Sequence, residues 1–144
     1  MENYDPESVH NRVGYIQYIY KNKNLPNNFE NFMLPIVLYG RDGIIADANK
    51  MFRTLTRITQ DDIHTGAAII FESLNKNNTG IEETARNAFD GKEHVYIGEK
   101  HLIETDNDNP EKLELSDYVN AIFFPMIHDN EGICVAGILL DRDK

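Results

Sequence analysis

The chain has 144 residues, of which 41% are hydrophobic and 26% charged. That is the make-up of one globular domain with one core, and it excludes a disordered or membrane-embedded chain. Fourteen Lys and Arg against 24 Asp and Glu leave a net charge of −10, which repels phosphate backbones and anionic bilayers and argues against nucleic-acid or membrane binding by this segment. The single cysteine, Cys134, rules out an internal disulfide and a Cys-based metal site. No signal-peptide pattern opens the sequence and no apolar run reaches the length of a membrane span, so the expected location is the cytoplasm.

Val9, Val13, Ile16 and Tyr20 recur at the helical period, which predicts an amphipathic helix over 8–20 capped by Ser8. Tyr15, Tyr18 and Ile19 make a second side of this helix partly apolar. One side is therefore expected to cover the chain's own sheet and the other to meet a second copy across a two-fold axis. The candidate dimer residues are Val9, Val13, Tyr15, Ile16, Ile19 and Tyr20. An Asn-rich connector broken by Pro26 follows, so residues 1–32 form an N-terminal helix and connector ahead of a domain spanning 33–144.

In PIVLYGRDGIIADAN, two short apolar runs flank Gly40-Arg41-Asp42-Gly43, a hairpin signal. Asn49 is a favoured N-cap and starts a helix that buries Met51, Phe52 and Leu55. Weaker helical turns are expected within 61–74. A better helix follows in GIEETARNAFDGK, with Ile81, Ala85, Ala88 and Phe89 on one stripe and Gly91 as its stop. EHVYIGEKHLIE, YVNAIFFPMIHD and ICVAGILLD have strand composition, the last two joined through Asp129-Asn130-Glu131-Gly132. Between the first two, the polar segment 104–117 belongs to a stretch with seven acids against Lys100 and Lys112.

The order β-β-α-α-α-β-β-β predicts an α+β fold, an antiparallel sheet with helices gathered on one face. Both alternating faces of YVNAIFF and ICVAGILL are apolar, which a strand backed by solvent would not show. The outer face needs a cover, and the N-terminal helix is the spare element.

With Asp42-Gly43 in the first hairpin, Ala48-Asn49 then Met51-Phe52 opening a helix, Asp90-Gly91 before the third strand and Gly137 in the last, the sequence resembles a PAS domain, a sensory module of bacterial signalling proteins. The resemblance covers roughly residues 33–143. It implies a five-stranded sheet of order 2-1-5-4-3, with helices enclosing a pocket. It also implies a non-catalytic role in signal transduction, such as two-component signalling or transcription regulation. A small organic ligand or partner would favour one of two packings, and the change would pass to a downstream effector domain beyond residue 144. Two positions depart from the pattern. Arg57 replaces a family glycine and should alter the turn after the first helix of the domain. The acidic loop replaces a tight turn.

Cofactors of this family leave marks that are missing here. There is no flavin-type cysteine motif, and IEETARNAF holds no histidine for a haem, so neither haem nor flavin is expected. His10, His64, His94, His101 and His128 are scattered without metal-ligand spacing, and no metal is expected. The run from Asp106 departs from a calcium loop at its fifth, sixth and twelfth positions. No nucleophile–base motif appears. Asp47 reads as an outward-facing strand residue. Asn120 alternates with Tyr118, Ile122 and Phe124, so one strand face would present all four to the pocket. Phe52, Phe71 and Phe89 would supply apolar walls and Tyr96 a hydroxyl. A shift of one residue in strand parity would send Asn120 outward and Ala121 and Phe123 inward. Two other readings stand beside the sensor: a ligand-free protein–protein interaction module, and a small α+β enzyme with a cone-shaped pocket.

Overall fold

The computed structural model describes residues 5–22, 28–104, 118–128 and 132–142. Helix α1 runs from Pro6 to Lys21. Asp5, not Ser8, caps it: the Asp5 side chain accepts from the Glu7 amide, and Pro6 takes the first helical position, where its missing N–H costs nothing. Strands β1 (Ile36–Gly40) and β2 (Ile45–Ala48) form the expected hairpin, in which Gly43 adopts φ 86°. A Cβ at Gly43 would lie 2.5 Å from the Phe71 ring, so glycine is needed there for space as well as for its backbone angle.

Asn49 caps α2 (Lys50–Thr56) as expected, and does more. Its side-chain oxygen accepts from the amides of Phe52 (3.1 Å) and Ile36 (2.9 Å), while its nitrogen donates to the Leu34 carbonyl (2.8 Å). One buried amide thus fastens the start of the helix to the start of β1. Arg57 itself takes the left-handed conformation (φ 65°) that a glycine would hold, so the turn is kept in spite of the substitution. Short helices α3 (Gln60–His64), α4 (Ile70–Ser73) and α5 (Ile81–Asn87) follow, and a 3₁₀ turn (Ala88–Asp90) ends at left-handed Gly91.

Strand β3 covers only His94–Ile97, shorter than the apolar run over 93–104 suggests. The chain turns away at Gly98, and Leu102 and Ile103 return to the core, Ile103 bridging to Leu74. Strands β4 (Tyr118–His128) and β5 (Gly132–Arg142) pair along their length. The five strands are antiparallel in the order β2-β1-β5-β4-β3, the expected architecture. The acidic segment over 105–117 and the turn over 129–131 lie outside the described residues, as does the side chain of Cys134.

Two apolar layers flank this sheet. On the inner face, Val37, Tyr39, Ala121, Phe123, Ile138 and Leu140 pack against α2–α5. On the outer face, Ile36, Leu38, Ile122, Phe124 and Leu139 pack against Val9, Val13 and Ile16 of α1. The central strands are therefore covered on both sides, as their doubly apolar pattern requires.

Candidate functional site

The inner compartment is built around Tyr39. Its ring stands edge-on to Phe71 (centroids 6.0 Å) and Phe89 (5.7 Å), and its hydroxyl donates to the Ala85 carbonyl at 2.6 Å. Burial pushes the Tyr39 hydroxyl far above the ordinary tyrosine value, so it stays a neutral donor. Two guanidinium groups lie over the neighbouring rings, Arg86 on Phe71 at 3.9 Å and Arg41 on Phe89 at 4.8 Å. Aromatic side chains in contact with one another and with two arginines thus lie between sheet and helices.

Phe52, Phe71, Phe89 and Tyr118 belong to this inner layer, with Tyr96 packed at its margin, its hydroxyl donating to the Thr79 carbonyl (2.7 Å). Ile122 and Phe124 do not. They lie on the opposite face, under α1, and Asn120 shares that face. The cause is local: β4 slips against β5 at Val119, so that Tyr118 faces Arg142 while Asn120 faces Asp141. The bulge spends one extra residue, and the parity that carries Tyr118 inward carries Asn120, Ile122 and Phe124 outward. The alternation that grouped these four side chains is therefore corrected, with Ala121 and Phe123 facing the helices in their place.

On the outer face, Val9, Val13, Ile16 and Ile19 are buried within the chain itself. Ile19 therefore does not belong to an exposed side of α1, contrary to the reading from periodicity. Tyr20 is half-buried, its ring edge-on to Phe29 at 4.9 Å, and its hydroxyl, pushed up to about 12 by burial and then by the charge of Asp47, hydrogen-bonds that carboxylate. Tyr15 and Tyr18 remain 50% and 55% exposed. Further polar ties hold the helix down: Arg12 to the Asp141 carboxylate (3.2 Å), the Gln17 amide donating to the Pro125 carbonyl (2.7 Å), and His10 beside Glu93 (3.3 Å).

Beside the helix runs a groove of about 470 Å³ lined by Asp5, Glu7, Ser8, Asn11, Arg12, Tyr15 and Phe32. Asn120 does not line this groove; it pairs in register with Asp141 across β4 and β5, is 3% exposed, and its side-chain oxygen has no hydrogen-bond partner. Among the described residues, no three His, Cys, Asp or Glu side chains gather as a metal site, and no helix is long and apolar enough to cross a membrane.

Periodicity gave no sign of Asn75 and Asn78, both buried. Asn78 accepts from the amides of Glu99 and Lys100 and donates to the His101 carbonyl, and Asn75 donates to the same carbonyl, so the pair shapes the turn after β3. Their only trace in the sequence is the run Asn75-Lys76-Asn77-Asn78 closing the helical segment.

No protein-family model matches the chain, and no curated protein matches it in sequence. Solved structures do. The PAS domain of an HTR-like protein from Haloarcula marismortui superposes with a TM-score of 0.56 at 14% identity, over 92% of this chain and 99% of that one. A domain of a sensory box sensor histidine kinase/response regulator from Geobacter sulfurreducens gives 0.55 at 14% identity, over 86% and 96%. A fungal LOV domain photoreceptor gives 0.51 at 15% identity, over 92% and 91%. Together with the strand order, the hairpin and the asparagine-capped helix, these superpositions establish that the chain has the fold of a PAS domain.

Proposed function

We propose that the chain is the sensory module of a signal-transduction protein, itself non-catalytic, and that its output element is α1. The observation that carries this reading is the docking of α1 on the outer face of β1, β5 and β4 through one apolar stripe and a few polar ties. A helix held so has two available arrangements, docked and released. A stimulus that favours one of them by differential affinity shifts the population. The domains it superposes on are named as parts of a sensor kinase and a photoreceptor, which supports the same role. The change is passed to an effector or to a second copy, for which the exposed Tyr18 on the far side of α1 offers a contact.

The test is a single substitution in the full-length protein. Val13→Asp places a charge in the seam between α1 and the sheet and releases the helix. Output locked in one state, with the sheet still folded, is the expected result. Output that responds to stimulus as in the wild type rejects the assignment of α1. A second reading, a ligand-free interaction module, is favoured by the Tyr39–Phe71–Phe89 ring packing inside the inner compartment. Native against denaturing mass spectrometry separates the two, since a co-purified small molecule supports the sensor and contradicts the ligand-free module.

A further inference from the structure

The two edges of the sheet differ. At the β2 edge the segment over 68–70 lies alongside the hairpin: the Ile45 amide donates to the Ala68 carbonyl (2.9 Å) and the Ile70 amide to the Gly43 carbonyl (2.7 Å). Strand β3 forms the other edge. It sets His94 opposite Phe123 and Tyr96 opposite Ala121, and beyond it the Gly98 amide donates to the Val119 carbonyl (2.8 Å). Main-chain groups in an antiparallel pair alternate between the partner strand and the free side. His94, Tyr96 and Gly98 therefore bond towards β4, and the N–H and C=O of Val95 and Ile97 point away from the sheet. The next amide on that side, Glu99, is taken by the Asn78 side-chain oxygen (3.1 Å). No described group does the same for Val95 and Ile97, whose side chains are 38% and 44% exposed. Beside this edge lies a polar cavity of about 180 Å³, lined by Asn77, Asn78, Thr79, Tyr96, Ile97 and Glu99. Glu99 is its one charged wall, and its carboxylate, after burial, holds the Tyr96 hydroxyl above its ordinary value.

We infer that the free edge of β3 is a docking site for an extended segment of another protein, which adds a further antiparallel strand and places a basic side chain in the cavity beside Tyr96 and Glu99. In such strand addition the open main-chain groups give affinity, and a side-chain pocket next to them gives specificity. Apolar side chains of the incoming segment lie against Val95 and Ile97. The residue between them points to the opposite face, where Tyr96 stands and the cavity opens. A lysine or arginine there donates to the Glu99 carboxylate. The net charge of −10 favours the approach of a basic segment. A second copy of this chain fits less well. Pairing Val95 with Ile97 of that copy centres the two-fold axis on Tyr96, which brings Glu93 towards Glu99 across the join, like charge against like. The site does not use the seam between α1 and the sheet, and its failure leaves the sensory reading untouched.

The probe is the blocked heptapeptide Lys-Thr-Val-Arg-Val-Thr-Lys, titrated into the isotope-labelled chain and followed by NMR. Its valines fall opposite Ile97 and Val95, and its arginine opposite Tyr96. The expected result is saturable movement of the Val95, Tyr96 and Ile97 signals, with slowed exchange of the Val95 and Ile97 amides. N-methylation of both peptide valines should weaken binding about tenfold or more, since it removes two main-chain hydrogen bonds. Glutamate in place of the peptide's arginine, or Glu99→Lys in the chain, should weaken it by a comparable factor. Glu99 is exposed, so Glu99→Lys should keep its thermal midpoint, which separates lost binding from lost fold. No movement at millimolar peptide, or undiminished binding to Glu99→Lys, overturns the inference. So does equal binding of the N-methylated peptide, which would show charge attraction without strand pairing. Protection of the Val95 and Ile97 amides that grows with the concentration of the chain alone would assign the edge to a second copy and overturn it too.

Discussion

At the scale of single residues, chemical type alone does not set a role. Asn49 and Asn120 are both buried asparagines, yet Asn49 satisfies two amides and a carbonyl while the oxygen of Asn120 meets no donor. Asn49→Ala should therefore cost about 2–4 kcal/mol, a lost cap plus orphaned groups on Ile36 and Leu34, read by urea denaturation. A loss under half a kilocalorie would show that water replaces the amide. Asn49 was legible because a cap precedes a helical stripe in sequence. The direction of Asn120 was not, because a bulge at Val119 changes parity without leaving any compositional mark. Arg57 is the converse case. The sequence marks it as a departure, and the structure shows it bearing the left-handed angle that a glycine would take freely. Arg57→Gly should raise stability by up to about 1 kcal/mol, seen as a higher denaturation midpoint.

At the scale of elements, apolar patterning foretold α1, α5 and the long strands, while a hairpin signal and an N-cap foretold β1, β2 and α2. What they could not give was the polar fastening between elements. The segment before β1 is tied to α2 by Glu30, which accepts from Arg53 at 2.9 Å, and Arg53 also donates to the Ala48 carbonyl at 2.7 Å. The hydrogen bond from Arg53, more than its charge, holds the Glu30 carboxyl below its ordinary 4.5, against the opposing effect of burial. A depressed folded value means that the folded chain binds fewer protons than the unfolded one just below 4.5. The tie therefore stabilises above that value and is lost as pH falls through the folded value. Glu30→Gln should flatten this acid-side loss, measured as denaturation midpoints between neutral and acid pH. Parallel curves for wild type and variant would show that the pair contributes nothing to acid stability. Helix α1 was read correctly as the cover of the outer face, and wrongly in its cap and at Ile19. A helix with more than one apolar side does not reveal from period alone which of them its own sheet takes.

At the scale of the whole molecule, the order of elements and a few turn motifs were enough to point to the PAS fold, and the strand order came with that resemblance, since doubly apolar strands mark only which strands are covered on both faces. The interior was less legible. Tyr39 sits in an ordinary strand sequence, and only the folded structure shows its ring packed edge-on to Phe71 and Phe89 with its hydroxyl on the Ala85 carbonyl. With no flavin-type cysteine motif and no histidine in IEETARNAF, the purified protein should be colourless, with no absorbance beyond the aromatic band. A Soret or flavin spectrum at full occupancy would contradict this expectation. The central proposal, however, concerns α1: that it is a separate cooperative unit, able to leave the sheet without unfolding the rest. Amide hydrogen exchange tests this directly, because local and global opening give different protection. The account predicts that α1 amides exchange faster than those of β4 and β5, and that Val13→Asp abolishes α1 protection while β4 and β5 keep theirs. Equal protection of α1 and the central strands, lost together in Val13→Asp, would contradict it.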